Sequence, residues 1–175
     1  MTEKIPAWIN GKLQPVDKLE VHKKGFQHKA ISVLVLNKNQ EILLQKRSMN
    51  KYHTPGLWTN TCCSHPKWNE NSKVCANRRL FEELGISKLN LEFKEVIKYR
   101  ANVGNNLVEN EVVDIFTTII SDKKNLKINI NPLEVMEIKW LNIKKTLEEI
   151  NTFPQLFTPW FVIYLTQYAD RILFK

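Results

Sequence analysis

The stretch LWTNTCCSHPKWNENSKVCANRRLFEELG, Leu57 to Gly85, decides how the rest of this chain is read. It sets two adjacent cysteines, Cys62 and Cys63, and His65 ahead of a helix-forming run that carries Arg78, Arg79, Glu82 and Glu83. Asn71 or Ser72 is placed to cap the helix, and Gly85 stands where a left-handed C-terminal cap belongs. Val74, Phe81 and Leu84 recur at helical spacing and predict the buried stripe. In an extended segment residues two apart point to one side, so Cys63 and His65 are expected to face one pocket and Cys62 to point away.

Upstream, AISVLVLN (Ala30 to Asn37) is a continuous apolar, β-branched run of the kind buried on both faces. The turn NKNQ leads from it into EILLQK (Glu41 to Lys46), which predicts a hairpin. Arg47 to Trp58 is polar and turn-rich, and residues 1 to about 27 read as irregular, with a turn at Asn10-Gly11. Downstream, strands are expected at Leu91 to Tyr99, Glu111 to Ser121 and Val135 to Leu141, and a short helix at Ile143 to Ile150. A last helix opens at Thr158-Pro159, a cap followed by a proline, and runs to about Leu173. No repeat, linker or low-complexity segment interrupts this single mixed α/β domain.

At 175 residues the chain is long enough to build its own core. Its 43% hydrophobic and 25% charged content is that of a globular domain, and its longest apolar run, Leu156 to Leu165, is too short to span a bilayer. MTEKIPAWING has neither the basic nor the apolar region of a signal peptide, and three cysteines make no disulfide framework. A reduced, cytoplasmic protein without membrane contact is expected. The net charge of +8 suits a nucleic-acid surface or an electrostatic funnel for a small anionic substrate. Dispersed charges without a basic tail or RNP-like aromatics favour the small anion and no nucleic acid.

Two further groupings carry chemistry. Arg79 and Glu83 are one helical turn apart, which as a solvated pair is worth about 0.2–0.5 kcal/mol. Glu109 and Glu111 alternate along a strand start and so share a face, an unfavourable arrangement unless something positive lies between them. Ser64, Glu70, Arg78, Glu82, Glu83, Gly85 and Ile86 fall at the spacings of G-x5-E-x7-R-E-U-x-E-E-x-G-U, the Nudix box, whose carboxylates hold Mg²⁺ against a diphosphate. Ser64 replaces its first glycine, and Arg79 replaces a glutamate. That second change removes a metal-binding carboxylate and adds a cation for a diphosphate.

Taken with TNTCCSHP, the degenerate box, YRA followed by VENEV, and FTPW, the chain resembles type I isopentenyl diphosphate isomerases, enzymes of the Nudix fold, over nearly its whole length. The resemblance implies a single-domain α/β/α sandwich with a mixed sheet, core about 28–175, with residues 1–27 folding over the site. It implies a His3Glu2 site for one divalent metal (Mn, Zn or Mg), made of His22, His28, His65, Glu109 and Glu111, and leaves His53 unused. It further implies Cys63 and Glu111 as the proton-transferring pair and Tyr99 as a hydrogen-bond partner of the catalytic carboxylate. Trp160 becomes the pocket aromatic, and Lys18, Arg47, Lys51 and Arg79 become the diphosphate-contacting cations. Glu83, with the Cys63 carbonyl, would hold a second Mg²⁺ carried in with the substrate. The expected assembly is a monomer or weak homodimer. Two other functions fit parts of the pattern: a Nudix hydrolase of a nucleoside diphosphate derivative, and a non-catalytic RNA-binding module on a decayed Nudix scaffold. Neither accounts for Cys63 and the histidines.

Overall fold

The computed structural model describes residues 3–173. Its centre is β3 (His28–Asn37), and the reason lies in its side chains. Ala30, Leu34 and Leu36 point to one apolar layer, while Ile31, Val33 and Val35 point to the other. A strand apolar on both faces is stable only with cover on both sides. One layer is closed by α2 (Ser72–Leu84), the other by α3 (Ile143–Thr152), α4 (Pro159–Gln167) and α5 (Ala169–Leu173). The result is the expected α/β/α sandwich on a mixed sheet.

Along β3 the partner is β8 (Val108–Ile120), parallel and in register from His28↔Glu111 to Asn37↔Ile120. β7 (Glu92–Asn102) flanks β8 antiparallel, with Tyr99 opposite Glu111 and Ala101 opposite Glu109. Tyr99, Glu111 and His28 therefore stand in one row across three strands, on the α4 side of the sheet. On its other edge β3 meets β6 (Cys62–Ser64), with Ser32 opposite Cys63, and joins β4 (Glu41–Arg47) through Leu36↔Ile42. β4 continues to β5 (Trp58–Thr59) and β9 (Val135–Asn142), with an irregularity in the β9 register at Lys46/Arg47.

Several expectations are corrected. The N-terminal segment expected to be irregular is ordered over its described part: β1 (Lys4–Ile9) and β2 (Lys12–Asp17) form a hairpin, followed by α1 (Lys18–Lys24). Ile5, Ala7 and Val21 give this unit its own small core. The α2 stripe is also shifted. Val74 and Phe81 are 58% and 62% exposed, and Cys75, Ala76, Leu80, Glu83 and Leu84 are buried instead. The caps hold: the Asn71 carboxamide accepts from the Lys73 and Val74 amides, and Gly85 has φ 66°. A side chain at Gly85 would stand 2.9 Å from Asn129 Cβ, so the position requires glycine on steric grounds as well. The last helix breaks at Tyr168 into α4 and α5, and the Thr158 hydroxyl does not cap it but donates to Thr59 Oγ1 at 3.0 Å.

Candidate active site

The segment before Cys63 is held by side chains because it crosses the sheet where regular pairing is short. The Asn60 amide donates to Ser32 Oγ (2.8 Å) and to the carbonyls of Val33 (3.0 Å) and Cys62 (2.8 Å). The Thr61 hydroxyl donates to Leu43 O at 2.7 Å and accepts from the Val35 amide at 2.9 Å. These bonds fix β6 against β3, so that Cys62 packs with the α2 layer and Cys63 with the α4 layer. Pro66 holds His65 extended, on the same side as Cys63.

Four imidazoles and two carboxylates converge there. His22 reaches the cluster from α1, whose start is capped by Asp17 and whose end is Gly25. Its Nδ1–H donates to Lys18 O at 2.6 Å, and His28 Nδ1–H donates to Phe26 O at 2.8 Å. Both rings therefore turn Nε2 toward the cluster. His28 Nε2 lies 3.2 Å from His65 Nε2 and 3.5 Å from Glu111 Oε1, and His65 Nε2 lies 3.0 Å from that same oxygen. His22 Nε2 and His65 Nδ1 are buried with no hydrogen-bond partner among the described residues. Buried nitrogens left without a partner are costly unless a cation takes them up. The ligand atoms of His22, His28, His65 and Glu111 all lie within 4.8 Å of one another. A divalent ion fits these donors, and imidazoles suit Zn²⁺, Mn²⁺ or Fe better than an all-oxygen shell would.

Electrostatics point the same way. Burial, helped by His28, lowers the His22 pKa to about 4, and burial drops His65 well below its ordinary value against the pull of Glu111. Both rings are thus neutral at pH 7, as ligands must be. Tyr99 Oη lies 2.6 Å from Glu109 Oε2 and 2.7 Å from Glu111 Oε2. Burial opposes charge on Glu111, but the His28 and His65 rings outweigh it and hold the carboxyl well below the usual range. Burial and the adjacent Glu111 charge push Glu109 up. The Cys63 thiol is raised by desolvation, then by Glu111 and Glu109, and so stays protonated.

One cavity is lined by Cys63, His65, Glu109, Glu111 and Trp160 together with Lys18, Arg47, Lys51 and Arg79. Trp160 Nε1 donates to Thr59 Oγ1 at 2.9 Å, and the Arg47 guanidinium lies 5.2 Å from the Trp160 ring centroid. Lys18 pairs with Glu3 at 3.1 Å, and Lys51 with Glu134. Arg79 meets Glu83 at 2.6 Å, Glu82 at 2.7 Å and Glu134 at 3.2 Å. Its pair with Glu83 is half-buried, not the solvated pair that spacing alone suggests.

The NUDIX domain pattern matches residues 26–161. An isopentenyl-diphosphate Delta-isomerase of Ruegeria pomeroyi is 51% identical over 168 residues, covering 96% of this chain and 92% of that protein. Proteins of the same name from a Jannaschia species and from Cereibacter sphaeroides are 50% and 49% identical over 98% and 100% of the chain, spanning 96% and 97% of their own lengths. The chain belongs to the isopentenyl-diphosphate Delta-isomerase group of the NUDIX family. Among solved structures, a Deinococcus radiodurans protein superposes with TM-score 0.73 at 10% identity, covering 93% of this chain and 97% of that one. A MutT NUDIX hydrolase of Burkholderia pseudomallei gives 0.60 at 19% identity, covering 81% and 98%. These two speak for the fold alone.

Of the residues that resemblance to the isomerases singled out, His22, His28, His65 and Glu111 form one ligand group, with Tyr99 bonded beside it. Glu109 falls in a second group, with His22 and His53. Glu83 lies beneath the sheet, its carboxylate engaged by Arg79 and by Gln45 Nε2 at 2.9 Å. Two residues near the cluster were missed. His53 sits in a turn-rich loop with nothing local to mark it. Tyr164 was readable, since it lies one turn after Trp160; its hydroxyl is buried with no hydrogen-bond partner among the described residues.

Proposed function

We propose that this chain interconverts isopentenyl diphosphate and dimethylallyl diphosphate by protonation and deprotonation through a tertiary carbocation. The observation that carries the reading is that Cys63 and Glu111 line one cavity with Trp160. An unactivated alkene is a poor base, so its protonation needs a desolvated acid close to the carbon. The cation so formed must lose a different proton before water reaches it. One of the two residues gives a proton and the other takes one, and the roles exchange when the reaction runs backwards. Trp160 walls the slot, and its π system favours positive charge by about 2 kcal/mol when desolvated. Lys18, Arg47, Lys51 and Arg79 clamp the diphosphate, so that binding energy from the anionic end orients the five-carbon unit.

His22, His28, His65, Glu109 and Glu111 would hold a divalent metal. When bound, that ion makes the attached Glu111 carboxyl a stronger acid and fixes its position. A second Mg²⁺ arriving with the diphosphate would be held by Glu83 and the Cys63 carbonyl. Glu83 pairs with Arg79 at 2.6 Å, and a guanidinium released from that pair would be available to the substrate. Cys63→Ala and Glu111→Gln, assayed with isopentenyl diphosphate and Mg²⁺ by NMR, should each lower turnover by at least about 10²–10⁴-fold with the fold intact by circular dichroism. Robust turnover in either variant overturns the assignment.

A further inference from the structure

The loop between β4 and β5 is built to present one side chain. Its ends are clasped, with Arg47 N–H donating to Leu57 O at 3.0 Å and Gly56 N–H to Arg47 O at 3.1 Å. The Arg47 guanidinium then grips its interior, donating from NH2 to His53 O at 3.1 Å and from Nε to Thr54 O at 3.2 Å. Thr54 adopts φ 47°, a strained conformation for a β-branched residue that persists only when the surroundings impose it.

The side chain so presented is His53, which is 5% exposed. Its ring stacks on His22 (centroids 5.7 Å apart, 28° between planes) and meets Trp160 edge-on at 5.9 Å. Its Nδ1 lies 3.1 Å from Thr54 Oγ1, and its Nε2 lies 3.6 Å from Glu109 Oε1. His22 and His28 show the same arrangement, Nδ1 tied to an oxygen and Nε2 turned to the cluster. That is how metal-ligating histidines are held. The ligand atoms of His22, His53 and Glu109 lie within 4.8 Å of one another, and His22 Nε2, common to both groups, is buried and unpartnered.

We propose that His53 is a fourth imidazole ligand of the metal centre, joining Glu109 and the shared His22. The inference rests on the metal-centre reading above and extends it. It brings the candidate donor residues to six. It also ties the diphosphate-facing loop to the metal through Arg47.

The chain has four histidines, so its imidazoles can be counted one by one. The test loads the full chain, ¹⁵N-labelled at histidine, with ¹¹³Cd²⁺ and reads ¹¹³Cd–¹⁵N couplings by NMR. Four coupled rings are expected, falling to three in His53→Gln, whose zinc affinity measured against a chelator should drop by at least about tenfold. Three coupled rings in the unaltered chain, or unchanged zinc affinity in a folded His53→Gln, overturns the role of His53 and leaves the centre standing. Absence of any cadmium coupling in the unaltered chain overturns the centre itself, and the inference with it.

Discussion

The two faces of the sheet carry two charged clusters built on opposite principles. On the α2 face four glutamates have guanidinium partners: Arg78 holds Glu70 through two bonds of 2.7 Å and reaches Glu82, while Arg79 reaches Glu82, Glu83 and Glu134. On the α4 face Glu111 and Glu109 are surrounded by imidazoles and a tyrosine, and among the described residues no lysine or arginine is bonded to either. The first cluster is electrically complete as the chain folds. The second is complete once a cation joins it. On the proposed function, the contrast separates cations that would meet a diphosphate from a buried His/Glu group that could hold a metal ion.

The strongest way to break this contrast is His65→Ala, which should release the metal and abolish turnover. A metal-free but active variant would leave the imidazole cluster without a purpose. On the α2 side, Leu80 is 1% exposed, and Leu80→Ala should cost about 2–5 kcal/mol of stability. Chemical denaturation would measure it, and a loss near zero would contradict the observed packing. Arg79→Ala should raise KM for the diphosphate substrate by roughly ten- to a hundredfold, about 1.5–3 kcal/mol, with a smaller change in kcat. A fall in kcat alone would move Arg79 from binding into the chemical step.

A pH series sharpens the comparison further. His22 and His53 have folded pKa values of about 4 and about 2, His53 through burial and then Arg47, against 6.5 for a free ring. The unfolded chain therefore takes up protons that the folded chain refuses, and stability is lost as pH falls below 6.5. Glu109, raised by burial and by Glu111, acts with the opposite sign, losing its contribution as pH rises through its folded pKa. Chelator-treated protein should show a falling Tm from pH 6.5 to 4; a flat Tm over that range would contradict neutral buried rings. The smallest effect is expected for Phe81→Ser on the outer face of α2, within about 0.5 kcal/mol.

Legibility followed locality. The TNTCCSHP segment, the α2 caps and β3 were readable because spacing, capping chemistry and a two-faced apolar run are local properties. The α2 stripe misled because its buried positions are filled by Cys75, Ala76 and the charged Glu83, while apolar Val74 and Phe81 face outward. The N-terminal hairpin was hidden by its polar second strand KLQPVD, which contains Pro15, and by its dependence on a small core shared with α1. His53 carried no local signal. Only the clasp between Arg47 and Leu57, which turns the loop inward, brings it to the other three histidines.

The central claim is that an exchangeable proton on Cys63 or Glu111 is delivered to the alkene inside one cavity. Incubating the chain with isopentenyl diphosphate and Mg²⁺ in D₂O and reading the product by NMR tests it most directly. The account predicts dimethylallyl diphosphate with deuterium in the newly formed methyl group. Product free of deuterium, or the absence of any isomer, would contradict it.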